Sequence, residues 1–503
     1  MASIKTTMKQ QISNLVHGLI YKPGMSRLPW PFVVVAFCTE LVFGMTRASA
    51  YTYLPKLIKT FGVSETNTGK TMGYIGSSLV VGSFIASFGV GYLADRLNKK
   101  HLLMSSLFLA AVGSLAFGVT QSIPFAIFVR FFQGIPGLLV VAQSLLLDQC
   151  DTTNRSVAMA FVLAAFSVGM VLGPAIGGFL AFPDDIFNGI FKNTVFTEYP
   201  ILLPNLVIAV CYIALLIGTS FMYYQPYYRR IAPSEADEEA KEEAYVETVK
   251  MILQSDNEED EDEKHGRKKS LSQTIKSSRF YKVITDTNFL VCASSYSLFG
   301  FTATGFNQLY PLWASTIKVY GGLNFTTQQI GKTLMYACIP LIFFLVIIIS
   351  KLTHWLGIKK MYLLNLFMLS IVFAAFPFLS KIQNESYLWL FIILSLILVR
   401  ISVGCCFTAA CVIVANCVDR SMLGTAYGLF NAALNLASAL APSATGTSFS
   451  WSLLNVKGVP TNHHSLGFPF DQHFAFLLMA LMTFIATIIV LFIRYDEDQK
   501  EKV

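Results

Sequence analysis

Four ionisable residues stand deep inside long apolar stretches of this chain: Glu40 and Arg47 within 31–55, Arg130 within 122–147 and Arg400 within 387–417. A charge in hydrocarbon is costly and marks a functional position by default. Glu40 is the one acid so placed, which makes it the natural proton carrier, because burial and neighbouring charge set a carboxyl's affinity for protons. Arg47 follows seven residues later, on the same helical face, with the bare backbone of Gly44 between them, so the two can line one cavity. The same spacing also serves a static ion pair that neutralises the helix, and both readings stand. A guanidinium stays charged, so Arg130 suits holding a substrate carboxylate or tuning an acid. With Gln133, Gly134 and Gly137 it makes a stripe at i, i+3, i+4 and i+7. Arg400 is a further candidate contact for an anionic solute. Asn431 and Asn435, at i and i+4, can hydrogen-bond either a solute or a neighbouring helix. Cys405, Cys406, Cys411 and Cys417 follow Arg400, but no C-x-x-C pair or nearby His completes a metal site, and packing explains them. No metal and no cofactor is expected.

Such residues need a frame, and composition says which. The 503 residues are 54% hydrophobic and only 13% charged, where soluble chains carry about a quarter. Of the 30 acids, 14 fall between Gln225 and Val283 and four in the last eight residues. That excludes an ordinary cytosolic enzyme, a disordered protein and a nucleic-acid binder. Apolar stretches long enough to cross a bilayer lie near 31–55, 70–93, 102–119, 122–147, 156–181 and 200–223. Six more lie near 284–313, 330–350, 360–379, 387–417, 422–447 and 473–494. The expected fold is therefore all-α, with twelve transmembrane helices. Arg96, Lys99 and Lys100 after the second stretch, and Lys351, Lys359 and Lys360 after the eighth, orient those loops and both termini to the cytosol. Residues 1–29 read as a retained cytosolic end, 225–283 as a charged, largely disordered cytosolic linker and 495–503 as a cytosolic tail. The acceptor asparagines Asn324 and Asn384 then fall outside, whereas Asn154 falls inside.

The halves 30–224 and 284–494 repeat each other. Gly69-Lys70-Thr71 is echoed by Gly331-Lys332-Thr333, Arg130 by Arg400 and Pro174 by Pro442. Two six-helix bundles joined by a long linker form a transporter architecture with its site near the midplane. A phosphate-binding loop needs Gly five residues before each Gly-Lys-Thr, but Ser64 and Thr326 stand there, so ATP binding is excluded. In the linker, Ser270, Ser272 and Tyr281 are candidate regulatory positions. At the cytosolic rim Gly91, Asp95, Arg96 and Lys99 face the same side as Asp148, an arrangement able to build a gate. Gly169, Gly173, Pro174, Gly177 and Gly178 make a flat strip for close helix approach. His463, His464 and His473 are expected as exposed loop residues.

Together these residues resemble the major facilitator superfamily. Residues 91–100 look like its loop 2–3 signature, with Asn98 where glycine is usual; Arg130 with Gln133-Gly134 looks like the helix 4 motif. Gly169 to Gly178 looks like the helix 5 motif of drug:proton antiporters. Gly76-Ser77-Ser78, Leu172 to Ala181 with Pro183, and Leu203-Pro204 are similar to the zinc-induced facilitator-like branch. The resemblance implies proton-coupled export, or vacuolar loading, of small organic solutes. Plant members of the branch usually have an N-terminal Cys pair and a His-bearing central loop; here no Cys precedes Cys38 and the linker has only His265. Three deep arginines against one acid favour a small organic anion or zwitterion, such as a chelator, over a free metal ion. The expected protein is a monomeric antiporter in a vacuolar, lysosomal or plasma membrane, driven by the proton gradient. An uncoupled facilitator and a non-transporting membrane sensor or scaffold are the alternatives.

Overall fold

The computed structural model describes residues 26–151, 153–187, 189–224, 285–417, 423–457 and 465–493. The linker 225–283 with Ser270, Ser272 and Tyr281, both chain ends, and His463 and His464 lie outside the described residues, as do the side chains of Asp95 and Arg96.

Among the described residues, twelve long helical segments account for the apolar stretches: α1 (Trp30–Thr60), α2 (Glu65–Arg96), α3 (Lys99–Gly118), α4 (Ile123–Leu147), α5 (Arg155–Leu180) and α6 (Leu202–Ser220), then α7 (Thr287–Ser315), α8 (Thr327–Leu356), α9 (Ile358–Ala375), α10 (Glu385–Cys417), α11 (Leu423–Leu453) and α12 (Phe474–Leu491). Nine of these are apolar enough along their described residues to cross a membrane by composition alone. At 1.5 Å per residue the 31-residue α1 is about 46 Å long, more than a bilayer's hydrocarbon thickness. Polar side chains start several of the helices. Asn98 accepts from the Lys100 amide to cap α3, Asp286 accepts from Asn288 and Phe289 to cap α7, and Asn384 accepts from Ser386 and Tyr387 to start α10.

One element departs from the sequence expectation. α4 is two pieces, Ile123–Gly134 and Leu138–Leu147, separated by Gly137 in the left-handed region at φ 57°. The stripe of Arg130, Gln133 and Gly134 therefore stops before Gly137, whose carbonyl starts the second piece. Ser106 of α3 donates to the Pro136 carbonyl at 2.8 Å, satisfying a group the break leaves free.

The two halves meet along a seam at the face opposite the chain ends, here the distal face. α2 packs on α11 and α5 on α8, and both crossings rest on glycine. A Cβ on Gly69 would lie 2.7 Å from the Gly446 carbonyl oxygen, and one on Gly178 would lie 2.7 Å from the Gly331 Cα. The echoed Gly-Lys-Thr and proline segments thus meet each other twice: Pro174 and Gly178 lie on Gly331, and Pro442 and Gly446 lie on Gly73 and Gly69. Deeper in the seam the hydroxyls of Ser77 and Ser443 bond at 2.8 Å. At the distal surface Lys59 bonds Glu65 and also the Ser315 carbonyl at 3.2 Å, while Glu65 accepts from the Ile317 amide at 3.2 Å. In this conformation the distal side of the seam is shut.

At the terminal face, where the chain ends emerge, Ser26 and Arg27 are clasped by the loop before α5. Ser26 donates to Asp151, and Asn154 donates to Ser26 Oγ and to the Arg27 carbonyl. Hydrogen bonds from Ser26, then from Thr153, hold the Asp151 carboxyl down at about 2.

Candidate transport site

Glu40 is 1% exposed, and its side-chain partner is Gln143 of α4, whose Nε2 donates to Oε1 at 2.9 Å. No cation pairs with it among the described residues. The geometry therefore separates two groups that the sequence allowed to pair: Glu40 belongs to the terminal side of α1, and Arg47 lines a different space. Gly44, between them, packs on α5, where a Cβ would come 2.6 Å from the Phe166 carbonyl oxygen. Gln143 was not anticipated; its signal was an amide which, with Ser144, interrupts the apolar run Leu138–Leu147.

Arg47 and Arg130 share a cavity of about 10 Å³ with Tyr51, Leu54, Ile75, Gly76 and Leu79. That holds about one water, so the site is collapsed here. Arg130 is 3% exposed; its Nη1 donates to the Thr46 carbonyl at 3.3 Å and to Gln133 Oε1 at 3.1 Å, and its guanidinium lies 4.3 Å from the Phe117 ring centre. Its Nε has no acceptor. Gln133 passes the constraint on to α3 by donating to the Gly113 carbonyl at 3.1 Å. Arg47 has no hydrogen bond or ion pair among the described residues. Two cations thus border one space with spare donors, a geometry chemically suited to a compact anion. A larger cavity of about 400 Å³ lies off the seam, on the distal face of the first half between Phe61, Gln121, Asp184 and Pro200. It shares no lining residue with the cavity of Arg47 and Arg130.

The remaining expected residues divide. Arg400, half-buried on α10, adjoins the Cys338 thiol of α8. Asn431 and Asn435 are exposed on α11, and Asn431 has a bonding partner of its own. At the terminal face Lys99 Nζ sits 2.5 Å from Asp148, which also accepts from Tyr224 at 3.0 Å. In the helix 5 motif, Gly169, Gly173 and Gly177 press on α1, with a Gly169 Cβ only 2.1 Å from the Leu41 carbonyl oxygen, whereas Gly178 faces α8. Asn324 and Asn384 are exposed on distal loops, and Asn154 is buried. His473 corrects an expectation: it is 3% exposed, bonded to Asp471 at 2.6 Å and boxed by Phe378 and Phe468, because the last distal loop packs against the helical turn Phe376–Lys381 that follows α9. Among the described residues no group of three or more His, Cys, Asp or Glu is arranged to hold a metal.

With this geometry in hand, comparison with known proteins is decisive on the family. The model described as Major Facilitator Superfamily matches residues 36–442. The chain belongs to that superfamily. Protein ZINC INDUCED FACILITATOR 1 of Arabidopsis thaliana is 25% identical over 87% of this chain and 88% of its own length. A probable peptide/nitrate transporter of the same plant is 24% identical over 85% and 84%. Escherichia coli multidrug export protein EmrB is 36% identical, over only 22% of this chain and 24% of its own. Among solved structures a D-xylose-proton symporter superposes with a TM-score of 0.64 at 14% identity, covering 93% of this chain and 98% of that one. The nucleoside transporter NupG gives 0.60 at 12%, covering 94% and 100%. These likenesses show the fold. The protein is a multi-pass membrane transporter of the major facilitator superfamily, similar to its zinc-induced facilitators, and is not an enzyme.

Proposed function

We propose that this major facilitator exchanges protons for a small organic anion or zwitterion by alternating access. The observation that carries the reading is Glu40: a buried carboxyl held by one neutral amide, with no cation beside it among the described residues. An unpaired carboxylate out of water is unfavourable, and a proton removes the charge, so Glu40 is suited to load and release one as access alternates. The separate Arg47–Arg130 cavity supplies the anion site, and a bare divalent cation would find no ligand set there. Gln133 fixes Arg130, while Arg400, Asn431 and Asn435 are the contacts assigned to the second half. Closure on the distal side by the glycine seam alternates with a terminal-side gate built from Gly91, Asp95, Arg96, Lys99 and Asp148. Both termini and the linker face the cytosol, the protein works as a monomer in a vacuolar, lysosomal or plasma membrane, and Asn324 and Asn384 carry glycans. Uptake of organic acids into proteoliposomes under an imposed pH gradient tests the coupling. Accumulation should follow the gradient; gradient-insensitive equilibration would leave an uncoupled facilitator.

A further inference from the structure

Gln308 of α7 is fully buried in the seam, and only half of its amide is used. Nε2 donates to the Pro442 carbonyl of α11 at 3.1 Å, whereas Oε1 is buried without a donor. Two glycines make room for it: a Cβ on Gly76 of α2 would lie 2.4 Å from Oε1, and one on Gly446 would lie 3.2 Å from Nε2. The neighbouring hydroxyls do not supply the missing donor, because Ser443 Oγ bonds Ser77 and the Gly73 carbonyl. A buried amide oxygen left unpaired is unfavourable, and native structures keep few of them. Gly76 is also part of the wall of the Arg47–Arg130 cavity. One residue without a side chain therefore stands between the unpaired acceptor of the second half and the paired cations of the first.

We propose that Gln308 is the contact through which the second half reads the solute, and that the solute carries an N–H or O–H donor beside its anionic group. The proposal rests on the alternating-access reading above, since the seam must part for Gln308 Oε1 to meet a ligand. The chemistry is specific. Arg47 and Arg130 donate only, so they take carboxylate oxygens. The Gln308 oxygen only accepts, so it repels a second carboxylate and selects a hydroxyl, amine or amide. The solute class is thus a hydroxy acid or an amino acid, in preference to a simple carboxylate.

The test uses the full-length protein in detergent and matched acids differing by one donor: lactate against propionate, malate against succinate, and alanine against propionate. Binding is read by thermal stabilisation over a concentration series. Wild-type protein should prefer the donor-bearing member of at least one pair by about tenfold, the worth of one buried hydrogen bond. Gln308→Met, which keeps the length of the side chain and loses the amide, should reduce that preference to about twofold or less. Gly76→Ala, which intrudes on Oε1 from another helix, should do the same and serves if the Met variant does not fold. A preference that survives in the folded variants, or a wild type that binds none of these acids or does not distinguish the pairs, would overturn the proposal. The pH-gradient response of wild-type transport is measured separately, so failure of proton coupling and failure of this inference are distinguishable.

Discussion

The distal latch lends itself to a quantitative test. Lys59 and Glu65 both belong to the first half, yet each grips backbone of the second: Lys59 Nζ the Ser315 carbonyl and Glu65 Oε1 the Ile317 amide, both at 3.2 Å. Their side chains keep 29% and 15% exposure, so each bond is discounted for screening to about 0.5–1.5 kcal/mol. Replacing both, Lys59→Ala with Glu65→Ala, removes two bonds made only when the distal side is shut. The closed state should lose about 1–3 kcal/mol, which is about a 5- to 150-fold shift towards distal opening. Spin labels at the exposed Asn67 and Val319, in a background with the native cysteines replaced, report the separation as a distance distribution. The variant should gain a longer-distance population and the parent should not. An unchanged distribution would refute the assignment of these two residues as a latch, leaving the glycine crossings and the Ser77–Ser443 hydrogen bond to hold the seam.

Three further outcomes follow from the same structure. Gly178→Leu places a side chain where a Cβ is already 2.7 Å from Gly331 Cα, so the same labels should show the seam open, whereas Gly169→Ala, against α1, should lower the thermal midpoint through overpacking of about 1–3 kcal/mol. The Asp151 carboxyl is depressed, so its contribution to the clasp on Ser26 is complete above the unfolded value of about 3.9 and is lost as pH falls through about 2. Asp151→Asn should flatten that acid limb in a pH series of melting curves. Expressed in a eukaryotic cell, the protein should lose mass on glycosidase treatment, and Asn324→Gln with Asn384→Gln should abolish the change, since both asparagines are exposed and Asn154 is buried.

Much of the fold was legible because hydrocarbon imposes length and polarity on every span. Hydropathy located each helix to within a few residues, but it could not see the break in α4: the run Ile123–Leu147 averages as one apolar span despite Arg130 and Gln133, and the break is a backbone event at Gly137. The charged residues pointed to the candidate site for the same energetic reason, yet their partners were not readable. Seven residues of spacing put Glu40 and Arg47 on one face of an isolated helix, but in the bundle α4 approaches Glu40 with Gln143 while Arg47 turns to the cavity shared with Arg130. The repeated Gly-Lys-Thr was visible as a repeat, but its meaning needed tertiary structure, since Gly69 and Gly331 serve close crossings with Gly446 and Gly178. Gln308 carried no local signal, because one of two adjacent amides, Asn307 and Gln308, in a long apolar span reads the same whether satisfied or not. His473 was misjudged because its position in a loop between two spans gives no sign that Phe378, nearly a hundred residues earlier, and Phe468 of the loop itself will close over it.

The central claim is that Glu40 carries the coupled proton, and Glu40→Gln tests it most directly, since glutamine keeps the shape and removes the titration. Proteoliposomes loaded with unlabelled solute and given a trace of labelled solute report exchange, which needs alternating access but no net proton movement. The same vesicles under a pH gradient report driven accumulation. Glu40→Gln should retain exchange and lose accumulation; a variant that still concentrates solute along the gradient would contradict the account.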